Sequence, residues 1–230
     1  MPSSDSSERM DRIPEPELMN GQEQALAYAA ADFSAGDQAL IERVQALFPS
    51  GLGERIADLG CGPGNISFRL ARQFSDAVVV GFDGAPVMVA LAHKALATAS
   101  DLHARLSFHQ VLLPDPSLDR AYSAVVSNSL LHHLHDPSVL WQSLRALGQP
   151  GAAVYIKDLR RPISAQEVLA LKDRYLTDAP QVLQRDYVAS LHAAFTVEEV
   201  GEQLVAAGLE DQLSVASVDD RYLEIWGHLL

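Results

Sequence analysis

The chain has 230 residues, 48% of them hydrophobic and 20% charged, with a formal net charge of −13 at neutral pH; this fits one globular domain with a sizeable core. The acidic balance works against binding long nucleic acids or anionic membranes, so a small-molecule partner is expected. A single cysteine, Cys61, excludes an internal disulfide framework, and no apolar run or basic leader marks a membrane span or signal peptide; a cytoplasmic protein, monomer or homodimer, is expected.

Residues 1–12 are polar and read as a loose tail, and residues 13–230 as one domain. That domain opens with a helical cap over residues 13–50, with helices expected at 22–33 and 39–48. Short apolar runs at 55–59, 77–82, 106–112, 122–127, 152–157, 212–218 and 222–226 have the length of strands, and helical patterns at 66–74, 86–97 and 137–147 separate most of them. Ser164 with Glu167 and Thr196 with Glu199 each place a hydroxyl and a carboxylate three apart, the signature of a capping box. Alternating strands and helices predict an α/β fold, a doubly wound, mostly parallel seven-stranded sheet with helices on both faces. The short connection through Asp219-Asp220 makes the last two strands an antiparallel hairpin. Residues 160–195 contain no good strand and read as a helical insertion, a lid over the carboxyl edge of the sheet.

After the first strand stands Gly60-Cys61-Gly62-Pro63-Gly64-Asn65. Glycines in a strand-to-helix turn serve positive φ angles or close approach of another group to the backbone. In the dinucleotide fingerprint G-x-G-x-x-G the third glycine falls where Asn65 stands here, which leaves an NAD-type oxidoreductase as a weaker alternative. The stretch Asp58-Leu59-Gly60-Cys61-Gly62-Pro63-Gly64 resembles motif I of the class I S-adenosylmethionine-dependent methyltransferases. The second strand ends in Asp83, Ser127 to Pro137 resembles the fourth-strand motif of the small-molecule members, and Gln149-Pro150-Gly151-Ala152 is similar to their turn before the fifth strand.

The resemblance implies methyl transfer from S-adenosylmethionine to a small molecule. It implies that Asp58 helps anchor the methionyl ammonium, that Asp83 holds the ribose, and that Gly84, Ala85 and Met88 lie beside the adenine. Gly60, Cys61, Gly62, Asn65, Leu112, Asn128 and Ser129 complete the implied cofactor site. Two departures stand out: Val111-Leu112 occupies the place of a usual Gly-Asp, so adenine recognition there rests on backbone groups and apolar contact, and Tyr122-Ser123 replaces a usual Phe-Asp. The missing acidic residue is the one support for a non-enzymatic binding module.

Methyl transfer from a sulfonium is an in-line displacement, so the protein chiefly positions a nucleophile, excludes water and, where needed, removes a proton. Cys61 reads as a small filler inside the cofactor loop. His132, His133 and His135 are the candidate bases, with His133 favoured over His132. Asp158 is expected to orient a substrate donor, and Arg160 or Arg161 to clamp a carboxylate or phosphate. Tyr28 and Phe33 are expected to close over the cofactor, and Tyr187, within Gln184-Arg185-Asp186-Tyr187, to face substrate from the lid. His133, His135 and Asp136 have the ligand types for a metal, but no second cluster or cysteine pair accompanies them, and no metal is expected.

Overall fold

The computed structural model describes residues 10–118 and 120–230; the first nine residues of the expected tail lie outside them. Seven strands form one sheet: β1 (Arg55–Leu59), β2 (Val78–Asp83), β3 (Leu106–Gln110), β4 (Tyr122–Asn128), β5 (Gly148–Leu159), β6 (Leu213–Ser217) and β7 (Tyr222–His228). Their order is β3-β2-β1-β4-β5-β7-β6. The first five pair in parallel, and β7 runs antiparallel to both of its neighbours, so the doubly wound sheet ends in the predicted hairpin.

Eight α-helices accompany the sheet among the described residues: α1 (Gln22–Ala30), α2 (Ser34–Leu47), α3 (Asn65–Gln73), α4 (Pro86–Leu96), α5 (Ser138–Leu147), α6 (Ala165–Leu176), α7 (Gln181–Ala193) and α8 (Val197–Ala207). The period-two alternation of the strands divides the core between the two faces. Val125, Val154 and Ile156 pack with Leu140 and Leu144 of α5 and Val200 and Leu204 of α8. Their neighbours Ala124, Val126, Ala153 and Tyr155 pack with Leu40 and Ile41 of α2, Leu70 of α3 and Ala92 of α4. A strand buried on both faces reads as a continuous apolar run, which is why these segments were legible as parallel strands.

Four local features differ from the expectations. α2 begins at Ser34, ahead of its apolar run, because Asp32 Oδ1 accepts from the Ser34 amide at 2.9 Å. β5 begins at Gly148 and contains the expected turn: its register shifts opposite Tyr122 and Ala124, and Gly151 has φ +82°. Thr196 and Glu199 form a full capping box, whereas Glu167 takes the amide of Ile163 instead of that of Ser164. Arg12 is not the end of a loose tail. Its guanidinium stacks on Phe195 at 4.0 Å and donates to the carbonyls of Ala193, His132 and Leu134. No helix among the described residues is long and apolar enough to cross a membrane.

Candidate active site

Where the chain turns from one side of a doubly wound sheet to the other, two neighbouring strands send their connections apart and leave a crevice at their carboxyl ends. Here those strands are β1 and β4. A cavity of about 720 Å³ occupies this place, within the roughly 300–1,000 Å³ of small-molecule sites.

The glycine turn after β1 is held by two amides, Gly60 N and Cys61 N, donating to Phe82 O at 2.8 and 3.1 Å. Its glycines serve different ends. Gly60, at φ +67°, has Leu130 against it: a Cβ there would lie 2.9 Å from Leu130 Cβ. Gly64, at φ +96°, caps α3 and would place a Cβ 2.7 Å from the Phe108 ring. Gly62, at φ +53°, meets nothing within 4 Å and borders the cavity. Gly62 thus leaves the cavity wall bare at its positive-φ position, while the turn and packing against protein side chains explain the other two. Gly60→Ala is therefore expected to lower unfolding free energy by about 2 kcal/mol or more, and Gly62→Ala by about 1 kcal/mol of backbone strain only. Urea unfolding checks this; equal losses would mean that Leu130 yields.

Asp83, at the end of β2, is fastened by its own neighbourhood. Its Oδ2 accepts from Gly62 N and its Oδ1 from Ala85 N, both at 2.8 Å. Burial raises its pKa, against the pull of those two amides. Asp58, at the end of β1, accepts from Ser67 Oγ at 2.5 Å. Burial pushes its pKa up to about 7, the Ser67 hydroxyl opposing and Asp83 adding. Both carboxylates line the cavity with Gly60, Cys61, Asn65, Gly84, Met88, Leu112, Asn128 and Ser129. Leu112 is 65% exposed, so an apolar side chain faces the open cavity where an acid was absent from the sequence. Ser129 holds φ +59° and its amide donates to Lys157 O at 2.9 Å, which bends the chain after β4 toward the cavity.

The turn that follows carries the histidines. His132, buried, places Nδ1 2.5 Å from Asp158 Oδ1. Asp158 is buried behind it on β5 and also accepts from Leu131 N at 2.7 Å and Leu159 N at 2.8 Å. Asp158 is thus a support for His132 and not, as expected, a group facing substrate. Burial disfavours the imidazolium, but Asp158 and then Glu15 outweigh it and hold His132 above the usual histidine value. The rings of His132 and His133 lie 4.1 Å apart at a tilt of 36°, and both line the cavity.

Glu15 was missed in the sequence. Its Oε1 lies 3.1 Å from His133 Nδ1 and 3.6 Å from His132 Nε2, and accepts from Ser190 Oγ at 2.9 Å. Although burial opposes it, the His133 and His132 imidazoles and Ser190 hold this carboxyl below its ordinary range. Its only sequence signal was the proline-flanked Pro14-Glu15-Pro16-Glu17 after Arg12. His135 is apart from the pair, exposed and close to Glu17. His133, His135 and Asp136 are therefore not the side chains that come together.

Tyr28, Phe33 and Tyr187 line the cavity, Tyr28 packing on Phe33 at 4.8 Å. Arg160 and Arg161 do not. Arg160 donates to Asp220 O, and Arg161, buried, to Ala194 O and Glu199, so both are spent on neighbouring elements. The cations that do reach the cavity are Lys157, 4.2 Å above the Tyr222 ring, and Arg221, 3.6 Å from the Tyr175 ring centre. Burial lowers the Lys157 pKa.

Residues 56–151 match a family model described as a methyltransferase domain. Trans-aconitate 2-methyltransferase of Methylobacterium radiotolerans is 33% identical over 100 residues, covering 44% of this chain and 36% of that protein. Ubiquinone biosynthesis O-methyltransferase of Vibrio vulnificus is 32% identical over 117 residues, 49% of this chain and 47% of its own. A 23S rRNA (uracil(1939)-C(5))-methyltransferase of Azoarcus is 31% identical over 197 residues, 84% of this chain and 39% of its own. The chain thus spans less than half the length of each of these relatives. A SAM dependent methyltransferase from Aquifex aeolicus shares the fold with TM-score 0.64 at 17% identity, covering 90% of this chain and 98% of that one. A plantazolicin methyltransferase solved with SAH shares it with TM-score 0.68 at 14% identity, covering 90% of each.

Proposed function

We infer that this chain, which carries a class I S-adenosylmethionine-dependent methyltransferase domain, binds S-adenosylmethionine in the switch-point cavity and passes its methyl group to a small-molecule acceptor. The observation that carries this reading is the pairing of Gly62, open to the cavity, with the Asp83 carboxylate fastened beside it. Each Asp83 oxygen spends one lone pair on a backbone amide and keeps another for the hydroxyls of a ribose. Asp58 would face the methionyl ammonium, and Met88, Gly84 and Leu112 would flank the adenine.

The cofactor supplies a methyl group already activated on a sulfonium, so no covalent nucleophile is required of the protein. The residues of β5 and β7 lie across β4 from the cofactor loops and form the acceptor side. There Tyr28 and Tyr187 offer aromatic surface, and Lys157 and Arg221 favour an acceptor bearing a carboxylate or similar anion. Asp158 fixes His132 with Nδ1 turned inward and Nε2 toward the cavity, so the acceptor's proton is handled at His132 and the more accessible His133. α6 and α7 serve as the lid that keeps water out.

Asp58 gives a pH signature. With its pKa at about 7 in the free protein, the group is largely neutral below that pH. An ammonium beside it favours the ionised form and draws the proton off on binding. SAH affinity is therefore expected to rise up to about tenfold per pH unit between pH 5.5 and 7 and to flatten above, while Asp58→Asn removes the slope. An unchanged slope in the variant would exclude Asp58 as the group.

Turnover is tested by incubating the protein with S-adenosylmethionine and pools of small phenols and carboxylic acids, or with ribosomal RNA fragments, and measuring SAH. Release above background with a small acceptor is the expected result. Release with RNA alone would transfer the assignment to a nucleic-acid acceptor, the reading that the Azoarcus relative favours. SAH binding without turnover on any acceptor would favour a binding module.

A further inference from the structure

We propose that Glu15, His132 and His133 together hold one divalent first-row transition cation, of the iron, cobalt, nickel or zinc kind, in the wall of the cavity. One ligand atom from each of the three lies within 4.8 Å of the others. Glu15 Oε1 stands 3.1 Å from His133 Nδ1 and 3.6 Å from His132 Nε2. Donors about 2.0–2.2 Å from a common ion stand roughly 3–3.6 Å apart, so these two spacings are those of neighbouring ligands.

The longer contact is beyond the reach of a hydrogen bond; the shorter is an ion-pair distance at which His133 Nδ1 finds no well-aligned acceptor among the described residues.

The surroundings are those of a ligand set. A metal-binding histidine usually donates its other ring N–H to a carboxylate or carbonyl, which fixes the tautomer and the ring. Asp158 does this for His132 at 2.5 Å. Ser190 holds Glu15 at 2.9 Å, and Arg12 ties down the carbonyls of His132 and Leu134 on either side of His133. Two imidazoles and one carboxylate suit a borderline transition cation and leave further positions open toward the cavity. The remaining acids of the cavity wall, among them Glu17, Asp58 and Asp83, add to its preference for a cation. Only the role of the ion rests on the methyl-transfer reading: with the cation in place His132 Nε2 and His133 Nδ1 serve as ligands instead of proton acceptors, and an acceptor hydroxyl at an open position gives up its proton to solvent more readily. Sequence spacing pointed elsewhere because Glu15 arrives from the N-terminal segment.

The test is calorimetric titration of chelator-treated protein with Zn(II), with Co(II) followed in parallel by its visible absorption, and with SAH titrated separately. The expected result is one equivalent of metal bound by wild type. Glu15→Gln and His133→Ala should each weaken it by about tenfold or more and Ser190→Ala by less, with SAH affinity little changed in Glu15→Gln and Ser190→Ala. No uptake by wild type, or equal affinity in wild type and variants, overturns the proposal. Metal binding intact alongside failed SAH binding would sink the cofactor reading and leave this one standing.

Discussion

Asp83→Ala is expected to weaken SAH binding by about 100- to 1,000-fold. Hydrogen bonds to an ionised carboxylate contribute about 1.5–3 kcal/mol each. At the lower end of that range, about 1.5–2 kcal/mol each, losing both ribose hydroxyl contacts amounts to about 3–4 kcal/mol, at about 1.4 kcal/mol per tenfold. The side chain also accepts from Gly62 N and Ala85 N, so its removal frees the two loops that flank the proposed ribose site. Asp83→Asn keeps the shape and part of the acceptor capacity and should lose less. Calorimetry at constant pH, with circular dichroism as the control for folding, checks both. A loss below about fivefold in the alanine variant would mean that Asp83 ties the loops together and does not touch the cofactor.

The largest loss of stability is expected from Asp158→Ala. This buried carboxylate satisfies two amides, Leu131 N and Leu159 N, together with His132 Nδ1. Removing one partner of a buried charged network costs about 3–5 kcal/mol because the others are left unpaired. At about 2–4 °C per kcal/mol for a chain of this size, Tm should fall by roughly 6–20 °C. Asp158→Asn retains an acceptor and should fall by less. Scanning calorimetry reads the shift, and a drop under about 2 °C would show that water replaces the carboxylate and that His132 is not held by it.

The sheet was legible because its strands are buried on both faces and its helices carry one apolar stripe each. Hydrophobic period, with the capping residues Ser164 and Thr196, separated them, and their alternation and the short Asp219-Asp220 connection pointed to the topology. The turn after β1 was legible because positive-φ glycines are a local requirement, and the family resemblance supplied the cofactor expectation for it and for Asp83. The wall of the cavity beyond β4 was not. Asp158 and Arg160 sit two residues apart at the end of one strand, and the sequence does not say which faces the cavity. Asp158 turns inward to His132, and Arg160 reaches for Asp220 O. Arg12 and Glu15 lie in a segment whose polarity reads as a tail. Their role exists only because Arg12 finds Phe195 and three carbonyls supplied by distant elements.

The claim that this cavity takes S-adenosylmethionine is tested most directly by titrating the wild-type protein with SAH in a calorimeter, with NAD alongside. One site of micromolar affinity for SAH and no heat with NAD is the predicted result. Absence of SAH binding, or binding of NAD in its place, would contradict it.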